Sequence, residues 1–541
     1  MKVIKDPIYG YIEIDDQFFQ LIDTAAFQRL RNIRQTSYQA LYPSALHNRF
    51  VHSLGVFHLG KKSIDHFFKN IQESFQDELS TTMKDEFRET FILACLLHDV
   101  GHSPFSHTGE EYYKKGADLT ELLCDAIDSD HFSLDIVSGA GNPHEAMSAL
   151  IGLEMCGSNG FIVNQELFVR SIIGLEYTDN AQSFITAVKN AIITILNGKL
   201  IDVDKLDYIS RDSFVTGYSS LTIDVDRLLS GYTICKDGNG EFKIAFKRQA
   251  LSVIENVIYA NDLERRWIQN HPVILYDCML SDFAIRSFDK GMKEKLAPDG
   301  KALQTVFIKE SLTESGLTGK DTRLRLLCDD DIVHYIKNQK DQTVLEQQFF
   351  NRGIRLKPLW KTEAAFDNYS GLKFGKELHA ELPKDIKSTL DFLQGHTSSF
   401  LINEAALAAT NKAYDSALSE SDTMKSTIKS YERAKHICEL FKQFKNANAL
   451  MDFVFAVIIL SRFETNYRKV RIEGVNIELA QNKVVRLSEL LSVEEQQKIS
   501  DKSTSLYYVY TTENNLAYAK DLGIDLSDAF FDFFRMNYKA I

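Results

Sequence analysis

Apolar and polar residues alternate from Val3 to Ile14 around Pro7 and Gly10, which predicts a short strand or hairpin at the start of the chain. From Phe18 the apolar spacing changes to three and four residues. FFQLIDTAAFQRLRNIRQ therefore predicts two helices broken near Asp23 and Thr24, residue types that favour helix N-caps. In SALHNRFVHSLGVFHLGKKSIDHF, Leu54, Val56, Leu59 and Ile64 follow a helical repeat that puts His52 near its start. The apolar run Phe91 to Leu97 leads into His98, Asp99, His102 and His107. A spacing of four puts His102 on the helix face of His98, and Gly101 with Pro104 predicts that the helix ends there and the chain turns back. His144 stands at a helix start after Pro143, with Glu145 beside it. An apolar helix from Ala191 runs out at Asn197 and Gly198, after which Asp204, Tyr208 and Asp212 share one helical face flanked by Lys205 and Arg211. Residues 231–247 read as a β-hairpin around Asp-Gly-Asn-Gly, and Leu251 to Phe288 as helix interrupted at His271-Pro272. Lys290 to Lys361 is mixed. From Leu390 onward the pattern is mostly helical, loosely so in AALAATNKAYDSALSESD and strongly apolar in Ile437 to Phe463, with a late strand at Tyr507 to Thr511. The fold class expected is mainly α: a helical core with small β-hairpins and a mostly helical C-terminal region. The expected divisions are 1–290 for the core with an N-terminal regulatory strand and helix, 291–390 for a mixed α/β lobe, and 391–541 for the rest.

Composition narrows the function classes. The 541 residues are 44% hydrophobic and 25% charged, ordinary globular values with ample chain for a core. Lys and Arg number 62 against 75 Asp and Glu, a net charge of −13 that argues against a broad grip on a nucleic-acid backbone and leaves room for a local basic pocket. The seven cysteines are scattered and never in a CxxC spacing, as expected for reduced thiols. The N-terminus carries charges where a signal peptide needs an apolar run, and the longest apolar run, Phe453 to Leu460, is far below the ~18–20 residues needed to cross a bilayer. A cytoplasmic protein without a membrane partner is expected.

Taken singly, the polar residues have plain explanations. His52 reads as a satisfied core histidine, His144-Glu145 as a capped helix terminus, the arginines near residue 30 as a solvated face, and the acidic residues after Gly198 as complements to a helix dipole. Together, His52, His98-Asp99 and Asp204 offer two imidazoles and two carboxylates from three segments. That set suits one divalent ion such as Mn, Fe, Ni, Zn or Mg, able to polarise a phosphoryl oxygen and to help generate a hydroxide nucleophile. His102 and His107 are then left for proton transfer, and a metal-centred hydrolase is the reading that the combination favours.

The order H…HD…D is the HD-domain phosphohydrolase signature, and the match is wider: DPIYGYIEI, IDTAAFQRLRNIRQ, HNRFVHSLGV, LLHDVGHSPFSH, NPHEA and IDVDKLDYISRD recur in register. This set resembles the deoxynucleoside-triphosphate triphosphohydrolases, the family of bacterial dGTPases and animal SAM- and HD-domain enzymes, over about residues 1–290. The resemblance implies an HD-domain helical core with metal ligation by His52, His98, Asp99 and Asp204. It implies that His102 and His107 act at the α-phosphate and leaving sugar oxygen, oriented by Glu110 and His144. Phosphate contacts fall to Arg49 and Lys205, and sugar contacts to Gln35, Tyr208 and Asp212, with Asp212 accepting from the 3′-hydroxyl. The implied reaction is attack at the α-phosphorus, releasing deoxynucleoside and intact triphosphate, with additional Mg on the nucleotide phosphates.

Four positions depart from the animal members: Thr36 replaces a leucine, Gln269 a tyrosine, Glu110 an aspartate and Lys5 an asparagine. Lys2, Val3, Asp23, Gln28 and Arg31 match a nucleotide activator pocket between subunits, which implies GTP or a dNTP as activator and a regulated homo-oligomer, most simply a tetramer. Control of dNTP pools, or antiphage defence by dNTP depletion, is the implied cellular role. The alternatives are an HD-type phosphodiesterase or nucleotidase on another nucleotide, and a nucleotide-sensing interaction module with a vestigial HD site.

Overall fold

A computed structural model of the chain describes residues 1–75, 78–115, 118–137, 141–178, 183–198, 201–218, 223–236, 240–296, 303–362, 364–366, 368–369, 457–459, 475–480, 483–490, 508–521 and 523–528. Contacts divide it into two compact units. One comprises Met1–Arg265, Cys278–Glu346 and Lys469–Ile499; the other comprises Arg266–Asp277, Gln347–Arg468 and Ser500–Ile541.

The first unit opens with the expected hairpin, β1 (Lys2–Asp6) antiparallel to β2 (Gly10–Ile14), with Lys2 opposite Ile14. Its turn is closed by Asp6, whose Oδ1 accepts from the N–H groups of Ile8 (2.8 Å) and Tyr9 (3.0 Å). The break at Asp23–Thr24 is also present. It separates α1 (Asp16–Ile22) from α2 (Ala25–Gln28), and the Thr24 side chain caps α2 at Phe27 N.

Helix α3 (Arg49–Ser74) is capped by Asn48, and α4 (Thr81–Leu97) by Ser80. Phe91 through Leu97 are fully buried, so this end of α4 is apolar all round because neighbours surround it: α3, α8 (Gln165–Ile173) and α9 (Phe184–Leu196) all pack on it. Between α4 and α8 lie α5 (Leu119–Ile127), α6 (Asp130–Ile136) and α7 (Pro143–Ser158), the last with Pro143 in its first turn and a capping box formed by Asn142 and Glu145. Helix α10 (Val203–Thr216) begins where Asp202 caps it and ends at Gly217, at φ +71°. A short α11 (Val225–Leu229) follows.

The hairpin expected within 231–247 forms as β3 (Tyr232–Lys236) and β4 (Phe242–Lys247), then gains two strands from far along the chain, β9 (Asn476–Ala480) and β10 (Lys483–Arg486), in the order β10-β9-β4-β3. Helix α12 (Leu251–Glu264), a π-helical turn at Arg265–Gln269 and α13 (Pro272–Leu296) reproduce the helix interrupted at His271-Pro272. Also in this unit are α14 (Lys309–Leu312), the two-residue strands β5 (Leu317–Thr318) and β6 (Arg323–Leu324), and α15 (Asp329–Lys337).

In the second unit, β7 (Lys357–Pro358), β11 (Tyr508–Thr511) and β8 (Val457–Ile459) form an antiparallel sheet in that order. The hydroxyls of Tyr508 and Tyr510 donate to the carbonyls of Asn270 (3.1 Å) and Pro272 (2.7 Å). The late strand is thus where it was expected. Within Ile437 to Phe463, however, Val457, Ile458 and Ile459 are a strand and not helix, in keeping with their β-branched side chains. The rest of that segment, and AALAATNKAYDSALSESD, lie outside the described residues. Among the described residues no helix is long and apolar enough to cross a membrane.

Candidate active site

Four side chains from α3, the end of α4 and α10 face one another. His52 Nε2 lies 3.0 Å from Asp204 Oδ1, 3.6 Å from Asp99 Oδ2 and 3.3 Å from His98 Nε2. His98 Nε2 is 3.7 Å from Asp99 Oδ1 and 3.8 Å from Asp204 Oδ1. His52 and Asp99 are buried completely or nearly so, and His98 is 7% exposed. The two imidazoles are held from behind by their other nitrogens. His52 Nδ1 is 2.7 Å from Asp207 Oδ2, and His98 Nδ1 is 2.9 Å from the Cys95 carbonyl. Each Nδ1 faces an acceptor, so in the neutral ring the proton sits on Nδ1 and the Nε2 lone pair is turned toward the shared centre.

The electrostatics fit a cation at this centre. Burial by itself lowers the pKa of His52, yet Asp204, Asp207 and Asp99 outweigh it and push it up to about 10. Burial likewise raises Asp99 and Asp204, but Arg49 with the histidines around Asp99, and His52 with His98 around Asp204, carry both well below the carboxylate range. A pocket that stabilises positive charge this strongly, with two imidazole nitrogens and two carboxylates converging, suits a divalent ion.

Asp207 is in turn gripped by Arg211, with Nε to Oδ2 at 3.0 Å and Nη2 to Oδ1 at 2.9 Å, and Arg211 Nη1 reaches Asp6 Oδ2 at 3.1 Å. Gly55 makes this possible. A Cβ at position 55 would fall 1.8 Å from Asp207 Oδ1, so only glycine lets α3 approach the carboxylate that orients His52.

His102 and His107 stand apart from this centre. The expectation that His102 continues the helix face of His98 is corrected by the structure: α4 ends at Leu97, His98 is its C-cap, and the chain then turns. The cause is Gly101, which lies so close to α7 that a Cβ there would meet Ser148 N at 2.4 Å and whose N–H donates to Ser148 Oγ at 2.9 Å. His102 therefore turns toward α7 and stacks on His144, with ring centroids 4.3 Å apart. His107 lies edge-on to His102 at 5.1 Å. Glu110 Oε1 contacts His107 Nδ1 and lies 2.8 Å from His144 Nδ1. Burial and the nearby Arg49 depress the His102 pKa far below its usual value, so this ring is neutral. Burial lowers His144 too, but the Glu110 carboxylate outweighs it and the net shift is upward.

Arg49 joins the two clusters. It is 3% exposed, with Nη1 2.8 Å from Asp99, Nε donating to Ser106 Oγ at 2.9 Å and Nη2 3.3 Å from His107 Nε2. Lys205, the other expected phosphate contact, is folded back onto Asp202 and the Gly198 carbonyl (2.7 Å). Among the expected sugar contacts, Asp212 and Tyr208 share the α10 face with Asp204. Burial raises the Asp212 pKa to about 7 and holds the Tyr208 phenol far above its usual range. His47 Nε2 stands 2.7 Å from Asp212 Oδ1 but out of line for a hydrogen bond, and burial with nearby Arg211 lowers its pKa to about 3. Among the described residues, Gln35 Oε1, Asp212 Oδ1 and both ring nitrogens of His102 are buried with no hydrogen-bond partner.

A family model described as the HD domain matches residues 49–171. By this match, that segment is an HD domain. His52, His98, Asp99, His102, His107, Glu110 and His144 fall inside the match, whereas Asp204, a member of the group that could hold an ion, lies beyond it. An uncharacterized protein of Mycoplasma genitalium is 31% identical over 262 residues, 47% of this chain and 52% of the relative. The deoxynucleoside triphosphate triphosphohydrolase SAMHD1 homolog of Dictyostelium discoideum is 31% identical over 44% of this chain and 40% of its own length. Deoxynucleoside triphosphate triphosphohydrolase SAMHD1 of Gallus gallus is 28% identical over 58% and 51%. The chain spans about half the length of the curated relatives it matches. The triphosphohydrolase resemblance read from the HD chain's motifs is borne out at this level.

The expected activator residues lie at the surface as two pairs. Lys2 Nζ is 3.9 Å from Asp23 beside the half-exposed Val3, and Arg31 Nε donates to Gln28 Oε1 at 2.7 Å with its guanidinium over the Phe50 ring. Thr36 adjoins Gln35, and Gln269 falls in the other compact unit. Sequence reasoning missed the orienting role of Asp207, although its i,i+4 pairing with Arg211 was a usable signal. It also missed Asp202 as the cap of α10, Ser106 beneath Arg49, and Asp329, none of which carries a local sequence mark of its role.

Proposed function

We propose that this HD-domain chain is a metal-dependent dNTP triphosphohydrolase that cleaves at the α-phosphate and releases a deoxynucleoside and triphosphate. The observation that carries the reading is Arg49, a buried guanidinium touching both Asp99 of the metal-type shell and His107 of the neighbouring histidine cluster. A phosphate lying against it meets both clusters at once.

His52, His98, Asp99 and Asp204 would hold the ion, which when bound supplies Lewis-acid stabilisation of charge on a phosphoryl oxygen. The protein's own groups do the rest. Arg49 offsets negative charge on the α-phosphate, and Lys205, released from Asp202, extends that along the polyphosphate. As water oxygen bonds to the α-phosphorus, the bond from phosphorus to the sugar 5′-oxygen breaks and His107 protonates that oxygen. Glu110, between His107 and His144, aims the acid and stabilises its charged form. His102, neutral and with no hydrogen-bond partner among the described residues, is left to hydrogen-bond the phosphate. Gln35 and Asp212, with buried polar atoms that lack a hydrogen-bond partner among the described residues, hold the sugar on this reading, and Tyr208 shares the α10 face with Asp212.

The reading extends to regulation: Lys2, Val3, Asp23, Gln28 and Arg31 take GTP or a dNTP as activator in a homo-oligomer, most simply a tetramer, acting in the cytoplasm on dNTP pools or against phage replication. The exposure of these residues and the free edges of their two pairs support it. The test is product analysis with Mn²⁺ and each dNTP, alone and in pairs. Deoxynucleoside with triphosphate supports the proposal, and a dependence on a second nucleotide supports activation. Release of single phosphate, or activity only on cyclic or monophosphate nucleotides, would replace it with the phosphodiesterase or nucleotidase reading. Absence of bound metal and of any mutant effect would leave a nucleotide-sensing module.

A further inference from the structure

Phe105 and Ser106, immediately before His107, have φ of +57° and +54°. Two consecutive residues with side chains in the left-handed region are disfavoured, because Cβ crowds the following carbonyl, and they persist only where surroundings over-determine them. What determines them here comes largely from outside the HD match. Asp329, the first residue of α15 and 7% exposed, accepts from Phe105 N with Oδ1 at 2.7 Å. Its Oδ2 accepts from Arg34 N and Arg34 Nε, both at 3.1 Å. Arg34 in turn lays its guanidinium 4.5 Å over the Phe105 ring, and its carbonyl accepts from Ser106 Oγ. Two residues before Asp329, the Leu327 carbonyl accepts from buried Arg29 (2.7 Å), whose other amino group donates to the carbonyls of Val100 (2.8 Å) and His102 (2.9 Å).

We propose that Asp329 is a positioning residue that holds the Phe105–Ser106 backbone in its left-handed form and so sets both Arg49 and His107 for the reaction. The link is short: Ser106 Oγ receives Arg49 Nε, and His107 is the next residue. A relaxed Phe105–Ser106 segment shifts the acid and the phosphate-binding guanidinium together while leaving in place His52 on α3, Asp204 on α10 and His98 at the end of α4, whose Nδ1 is held by the Cys95 carbonyl. Region 291–390, for which the sequence suggested no role, thereby contributes to the active centre. This inference rests on the phosphohydrolase reading for its kinetic arm and not for its structural one.

The experiment compares full-length wild type with Asp329→Ala and Asp329→Asn by steady-state kinetics on dNTP, metal content and amide hydrogen exchange across residues 100–110. Asp329→Ala is expected to lower kcat on the order of 10- to 100-fold through misplacement, with bound metal as in wild type and faster exchange at Phe105. Asp329→Asn keeps one acceptor for the Phe105 amide, so it recovers part of the protection and part of kcat; if the alanine variant does not fold, the asparagine variant carries the test. Unchanged exchange at Phe105, kcat within about twofold of wild type, or loss of metal in proportion to activity would overturn the positioning role. A wild type that makes no triphosphate would sink the parent reading alone, since the exchange comparison still decides the latch.

Discussion

Around His52 and His98 the protein has assigned nearly every donor and acceptor: Nδ1 atoms to Asp207 and Cys95, carboxylates to Arg49 and Arg211, with Nε2 atoms turned inward. In a second group, Gln35, His102 and Asp212 keep buried polar atoms with no hydrogen-bond partner among the described residues. Because an unpaired buried polar atom costs about 1–3 kcal/mol, the second region stores a cost that a polar ligand can relieve. The contrast separates two tasks. On the proposed reading, the first group is set to hold an ion and the second is completed by substrate.

If that division is right, variants on the two sides fail differently. The largest effect is expected for Asp204→Ala, which removes a ligand atom: metal analysis should find the ion lost and turnover lowered by at least about 10³-fold. Retention of stoichiometric metal would break the assignment. His107→Ala should lower kcat about 10²- to 10⁴-fold while metal content stays at the wild-type level. A parallel loss of metal would merge the two regions into one.

Next in size is Gly55→Ala. Its new methyl group displaces Asp207 from His52, so the metal concentration needed for half-maximal activity should rise about 10- to 100-fold; an unchanged metal titration would show that Asp207 does not orient the ligand. Asp212→Asn sharpens the pocket side through pH. Asp212 binds its proton more tightly folded, near pH 7, than unfolded, near 3.8. Wild-type stability therefore falls as pH rises through that window. The asparagine variant escapes the penalty, so thermal unfolding should show it ahead of wild type above pH 7 by on the order of 1–3 kcal/mol, with the gain vanishing toward pH 4. A pH-independent difference would contradict the buried-carboxylate account. Arg31→Ala should do least to basal turnover and act chiefly on assembly and nucleotide dependence, read by sedimentation and two-nucleotide assays.

Much of this was readable beforehand because the chemistry is concentrated in short motifs. The His52, His98-Asp99 and Asp204 set, the hairpin at Val3 to Ile14 and the Thr24 break all follow from spacing and residue type. Periodicity failed where a distant packing contact decides: Gly101, pressed against Ser148, ends the helix that a spacing of four extended to His102. Contacts between remote segments were equally invisible. Nothing local marks Asp329 as the acceptor for Phe105 N, or residues 476–486 as strands that join the 232–247 hairpin. Gly55 was inside a recognised motif, yet its purpose is apparent only beside Asp207.

The most direct measurement of the central claim is the identity of the products formed from a dNTP by the Mn²⁺-loaded protein. Chromatography with phosphorus detection should find deoxynucleoside and triphosphate in equal amounts, with neither accumulating in an Asp204→Ala control. Pyrophosphate with deoxynucleoside monophosphate, or orthophosphate with deoxynucleoside diphosphate, would contradict attack at the α-phosphorus with loss of the sugar oxygen.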